Sequence, residues 1–250
     1  MAATVDTLAG STSGFADGAG AAAKFYYLFG VAADAAGNIY VGDSNNQRIR
    51  KISPDGTVGT LAGSGSPGCA DGVGAAASFD YPYGVTVDSA GNLYVADHSA
   101  HRLRKITPDG TVSTLAGSTS GFADGAGAAA SFDSPTGVTV DAAGNVFVAD
   151  TNNERIRKIT PNGTVSTLAG SGHPGSIDGV GATASFNSPL GVAVDAAGNL
   201  LVADCDNHRI RRLAAVAAPL LPPAPPAAAS TYATECVCAG LKTRAMPPSR

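Results

Sequence analysis

Apolar positions in this chain fall in short runs of five or six residues, broken at almost every step by Gly, Pro, Asn and Asp. In residues 84–117, Gly84–Asp88 and Asn92–Asp97 flank the turn Ser89-Ala90-Gly91, and Arg102–Thr107 and Thr111–Gly117 flank Pro108-Asp109-Gly110. Such β-branched and apolar runs, joined by turn residues, predict four short strands in an antiparallel meander. The pattern occurs four times. Its turn aspartates Asp34, Asp88, Asp141 and Asp195 stand 54, 53 and 54 residues apart, the spacing of a repeat architecture. Within each unit the second run is apolar at consecutive positions (Leu93-Tyr-Val-Ala, Val146-Phe-Val-Ala, Leu200-Leu-Val-Ala), not in alternation. A sheet with one wet face alternates, so these strands are expected to be covered on both faces, as in sheets stacked radially as propeller blades.

The ends of the chain predict how the blades close. Thr4–Gly10 (TVDTLAG) matches the fourth strand of the later units, TVSTLAG at 111–117 and 164–170, and has no unit in front of it. The last unit runs through Gly191–Asp195, Asn199–Asp204 and Arg209–Leu213, and no fourth strand follows. The expectation is an all-β propeller of four four-stranded antiparallel blades over residues 4–213, closed by the N-terminal strand. The alternative is part of a six-bladed ring. Residues 214–250 are rich in Ala and Pro and are expected to be a tail without stable fold.

The residues also carry a resemblance. The run PxGVxVDxxGNxxVADxxNxRI, present as Pro135-Thr-Gly-Val-Thr-Val-Asp141 through Arg155-Ile156, is similar to the NHL repeat, and the likeness extends over about residues 4–213. It implies a propeller of a family whose members commonly have six blades, some of which bind nucleic acid.

Composition narrows the function. A net charge of −4 and pI near 5.4 give no general polyanion surface, and no exposed aromatics interleave with the basic residues, so nucleic acid is not an expected partner. Twelve of the 16 Lys and Arg fall in the third strands and are expected to ring the body, balanced by in-register Asp. Four cysteines without repeated spacing give no disulfide framework. No apolar run reaches a membrane span, and the first ten residues lack the pattern of a signal peptide, so the default expectation is a cytoplasmic protein.

The turns between strands one and two, and three and four, are nearly invariant, and turn geometry accounts for their Asp and Gly. Variation concentrates on the opposite face. There the loops between strands two and three read Asp43-Ser-Asn-Asn-Gln-Arg48, Asp97-His-Ser-Ala-His-Arg102, Asp150-Thr-Asn-Asn-Glu-Arg155 and Asp204-Cys-Asp-Asn-His-Arg209. Their fixed ends predict an Asp–Arg pair across each hairpin. Their varying middles nominate Asn45, Asn46, His98, His101, Asn152, Asn153, Asp206 and His208 as partner contacts. Loops of about twenty residues join each blade to the next. In them Phe25, Phe79, Phe132 and Phe186 are expected to anchor the loop, with a helical turn through Gly127–Phe132. LAGSTSGFADGAGAAA at 8–23 returns unchanged at 115–130, so the units also alternate in pairs.

A non-enzymatic scaffold that binds a protein partner through this loop face is the resulting expectation, with no cofactor and no catalytic residue. Two alternatives remain. One is a metal-dependent hydrolase or lyase at the channel mouth, for which His98, His101, Cys205 and His208 would be the ligands if the loops met across the axis. The other is an RNA-binding module.

Overall fold

A computed structural model describes residues 3–214; of the expected tail over 214–250, all but its first residue lies outside the described residues. The chain forms four antiparallel sheets arranged as propeller blades, with no α-helix among the described residues. Blade 1 consists of Leu28–Ala33, Ile39–Asp43, Arg48–Ile52 and Thr57–Ala62, in sequence order from the inside out. Blades 2 and 3 repeat it, with inner strands Pro82–Val87 and Pro135–Val140 and outer strands Thr111–Ala116 and Thr164–Ala169. Blade 4 contains Pro189–Val194, Leu200–Asp204 and Arg209–Leu213. Each inner strand packs on the next around a common axis.

Three details refine the expectation. A two-residue strand from the long loop, such as Gly18–Ala19 beside Thr57 and Val58, adds a fifth member to the outer edge of blades 1 to 3. The turn expected over Gly127–Phe132 is shorter, a single 3-10 turn at Gly127–Ala129. The closing strand is not made. Residues 3–10 form no strand, Val5 is 94% exposed, and among the described residues the sheet of blade 4 ends at Arg209–Leu213. No inner-strand packing like that between successive blades joins Pro189–Val194 back to Leu28–Ala33. The N-terminal segment and the edge it would complete therefore do not meet.

The core lies between the blades. Tyr40, Ile49 and Ala62 of blade 1 pack with Phe79, Val85, Leu93 and Ile106 of blade 2, and the equivalent residues fill the next two seams. The second strands are buried at nearly every position, as their continuous apolar runs require. Gly84 of the GVxVD run sits where inner strands approach most closely. A Cβ there would meet the Thr136 carbonyl oxygen, and Gly30 and Gly137 face the same constraint in the flanking seams.

Candidate functional site

The loop face is built on a buried ionic frame. In blade 1 the Arg50 guanidinium, with no exposed side-chain surface, reaches Asp43 at 2.7 Å and Asp17 at 2.5 Å. It also donates to the carbonyls of Lys24 and Ala16, and its Nε has no partner. Asp43 accepts the Tyr26 N–H at 2.8 Å, so one triad ties the long loop to the hairpin of its own blade. Arg104, Arg157 and Arg211 repeat the arrangement with Asp97/Asp71, Asp150/Asp124 and Asp204/Asp178. Phe25, Phe79, Phe132 and Phe186 lie under these guanidiniums, at 5.0–5.3 Å in each blade, which accounts for their recurrence.

This corrects the expected pairing. The register sets Arg48 directly opposite Asp43, yet Asp43 binds Arg50, two residues on. Arg48 instead lies over the Phe15 ring at 3.9 Å and donates to the carbonyls of Asn46 and Ser64. Arg155 does the same on Phe122, whereas Arg102 and Arg209 meet the Cys69 and Ser176 carbonyls. That is the physical form of the pairwise alternation. The expected balance of the basic residues by Asp takes this form: one Arg of each third strand turns inward and pairs with two of those aspartates, and the others stay outside.

Asn46 and Asn153 belong to the frame. Each donates its amide to the triad aspartate and to a loop carbonyl, Gly14 or Gly121, at 2.8 Å. Asn207 does likewise in blade 4. Blade 2 has Ala100 at this position, and there burial pushes the Asp97 carboxyl up to about 7 against the pull of the Asp80 N–H and of Arg104. Burial raises Asp150 as well, with the Asn153 amide pulling the other way.

The two histidines of blade 2 lie in the seam with blade 3. His98 stacks on Tyr83 (centroids 4.2 Å, planes 4° apart), with Nδ1 3.3 Å from the Pro135 carbonyl oxygen; burial holds it below the usual imidazole range. Ser44 and Thr151 make the same bond with hydroxyls, to the Pro82 and Pro189 carbonyls. His101 Nδ1 accepts the Ser134 N–H at 3.1 Å. Gln47 accepts the Tyr81 N–H, and Glu154 the Ser188 N–H, both at 2.7 Å. The chain thus carries an inter-blade latch. Residue 47, 101 or 154 reaches about 34 residues ahead to a residue held at φ of 51–53°, a left-handed conformation that is costly for Tyr or Ser. The identities differ but all are hydrogen-bond acceptors, a shared property visible in the sequence and not exploited there.

Asn45, Asn152, Asp206 and His208 remain toward solvent on the loop face, the first half-buried and the others exposed. Asn152 donates to Ser134 Oγ, and Asp206 accepts from Ser188 Oγ at 2.8 Å. Next to them, sequence reasoning missed an aromatic patch. Tyr26, Tyr27 and Tyr81 are exposed, and Phe29, Tyr83 and His98 form a continuous stack beside them, with Phe29 and Tyr83 centroids 4.0 Å apart. At the positions of Tyr27, Tyr81 and of Phe29, Tyr83, blades 3 and 4 have Ser134, Ser188 and Thr136, Leu190. Among the described residues no group of three or more His, Cys, Asp or Glu could hold a metal, so His98, His101, Cys205 and His208 are not brought together as ligands. No helix of the described residues is long and apolar enough to cross a membrane.

The NHL repeat model matches residues 25–52, 79–106, 132–159 and 186–213, one repeat per blade. NHL repeat-containing protein 2 of Bos taurus is 36% identical over 153 residues, 55% of this chain and 21% of that protein. The chain thus spans about a fifth of the length of that relative. An auxiliary nutrient binding protein from Bacteroides ovatus has the same fold at a TM-score of 0.62 and 22% identity, over 76% of this chain and 48% of its own. A nidogen/laminin complex contains a chain similar at a TM-score of 0.55 and 20% identity, over 74% of this chain and 60% of its own. One repeat in each blade and the blade geometry agree: the chain belongs to the NHL-repeat β-propellers.

Proposed function

We propose that this chain is a non-enzymatic binding scaffold that takes a protein partner on its loop face, around the aromatic patch of blades 1 and 2. The observation that carries this reading is that the loop-face surface changes from aromatic to small and aliphatic residues between blades 1 and 2 and blades 3 and 4. The frame of triads and latches is repeated from blade to blade, whereas Tyr27, Tyr81, Phe29 and Tyr83 give way to Ser, Thr and Leu in blades 3 and 4. Exposed tyrosines on a rigid base supply large contact area at little conformational cost and are enriched where partners bind. Tyr81, 39% exposed, has its backbone N–H held by Gln47 in the left-handed conformation, which fixes where its side chain leaves the backbone. Asn45, Asn152 and Asp206 would contribute the polar rim of the same surface, with His208 beyond them. The nidogen/laminin neighbour is compatible with a protein ligand for such a propeller.

The native repeats provide the test. Ser134 and Ser188 occupy the left-handed position of Tyr81, so Tyr27→Ser with Tyr81→Ser keeps the latch and the fold. Proteins captured by the wild-type chain are compared quantitatively with those captured by the double variant at matched melting temperature. Partners of the loop face should be lost. Equal capture by both chains would overturn the reading.

A further inference from the structure

The three interior seams define what the two outer flanks of the molecule are built to receive. Each seam has three parts. An apolar residue of the third strand, Ile49, Leu103 or Ile156, is fully buried as the fourth strand and the next blade close over it. The fourth strand ends in Leu-Ala-Gly, whose Ala packs beside the next blade's Ala and Phe while its Gly N–H bonds the long loop (Gly63 to the Gly74 carbonyl, 3.1 Å). The latch residue then accepts a backbone N–H from the next blade.

At the flank of blade 4 the third-strand and latch parts are present and the fourth strand is missing among the described residues. Ile210 corresponds to Ile49 but is 74% exposed, the edge of Arg209–Leu213 has no strand beside it among the described residues, and His208 occupies the latch position. At the flank of blade 1 every second half is present. Val31, the counterpart of the buried Val85, is 42% exposed, and Tyr27 has the left-handed φ of 55° found at Tyr81, Ser134 and Ser188. The segment Thr4–Ala9 reads TVDTLA where Thr57–Ala62 reads TVGTLA. It is already seated at its far end, since Ala9 packs in the cluster with Ala23 and Phe25, and the Gly10 N–H bonds the Gly20 carbonyl at 3.0 Å, as Gly63 does Gly74.

We propose that the blade-4 flank of one chain binds the blade-1 flank of a second copy, head to tail, with Thr4–Ala9 of the second copy forming the fourth strand of the first copy's last blade. His208 then accepts the Tyr27 N–H across the junction, and Ile210 is buried against the Phe25 region. The second copy is favoured over closure within one chain because the inner strands of blades 4 and 1 do not pack together at the curvature the four blades adopt. A junction of this kind uses different surfaces on its two sides, so it forms a closed ring when the rotation closes and a growing chain otherwise. It also removes the open sheet edge that would otherwise pair indiscriminately. The junction shares Tyr27 and His208 with the proposed loop-face surface, but it uses the Tyr27 backbone rather than its ring, and the flank variants below leave every loop-face tyrosine in place, so the two readings fail separately.

Sedimentation of the full chain over a wide concentration range provides the first test, with mass rising with concentration as the expected result. Two variants at exposed positions then each disable one flank: Ile210→Asp, and Val5→Asp with Leu8→Asp. Each alone should remain monomeric with a native circular dichroism spectrum. Mixed, the two have one intact junction between them and should form a 1:1 complex that grows no further. A wild-type chain that stays monomeric at every concentration, or a mixture with no heterodimer, would overturn the proposal in favour of closure within one chain or of open flanks.

Discussion

Replacing Ala100 by Asn should stabilise this protein, and should do so more at pH 8 than at pH 5. In blades 1, 3 and 4 an Asn amide bridges the triad aspartate and a loop carbonyl at 2.7–2.9 Å, and in blade 2 Ala100 and Gly68 stand at the corresponding positions. The variant therefore adds two hydrogen bonds, one to a buried carboxylate. With each bond contributing roughly 0.5–1.5 kcal/mol, more to a charged acceptor, and about 1 kcal/mol lost in ordering the side chain, the net gain is about 1–2 kcal/mol. For a domain of this size that raises Tm by roughly 3–6 °C. The pH dependence follows from Asp97. Its folded pKa, pushed up to about 7, lies above the unfolded value of 3.8, so its contribution to stability is complete below 3.8 and is lost as pH rises through 7. An added donor favours the ionised form, lowers that folded pKa and shrinks the loss. Chemical unfolding followed by circular dichroism at pH 5 and pH 8 measures both effects, and repeating the substitution on Asp97→Asn isolates the pair. A gain that is absent at pH 8, or equal at both pH values, would refute the account of this frame.

Two further substitutions test the seams. His98 is held below its ordinary 6.5, so stability should fall as pH drops from 6.5 toward the folded value; His98→Thr, which keeps a donor for the Pro135 carbonyl as Thr151 does for Pro189, should flatten that acid limb in pH-dependent melting. Gly84→Ala should destabilise the fold by roughly 3 kcal/mol or more, because the new methyl meets the Thr136 carbonyl of the neighbouring inner strand, where backbone cannot give way; an unchanged denaturation midpoint would show that the inner strands separate more easily than described.

Much of the architecture is local and was therefore legible in the chain. Continuous apolar runs required sheets covered on both faces, the 54-residue period required repeated blades, and the turn aspartates do what turn geometry asks, with Asp34 accepting the Ala36 and Asn38 N–H groups. The recurring phenylalanines are loop anchors for the same reason: a residue that returns in every unit serves the unit. What the sequence left open depends on partners 16 to 43 residues away. Strand alternation puts Arg48 and Arg50 on one face and offers both to Asp43. Only the path of the long loop, which brings the Ala16 and Lys24 carbonyls and the Asp17 carboxylate over Arg50, decides that Arg50 is the buried one. His98 and His101 likewise looked like loop variation until the next blade supplied the Pro135 carbonyl and the Ser134 N–H. The match between Thr4–Ala9 and the fourth strands is a property of the sequence. Whether that strand can reach its edge is a property of curvature, accumulated over three seams, and no single repeat encodes it.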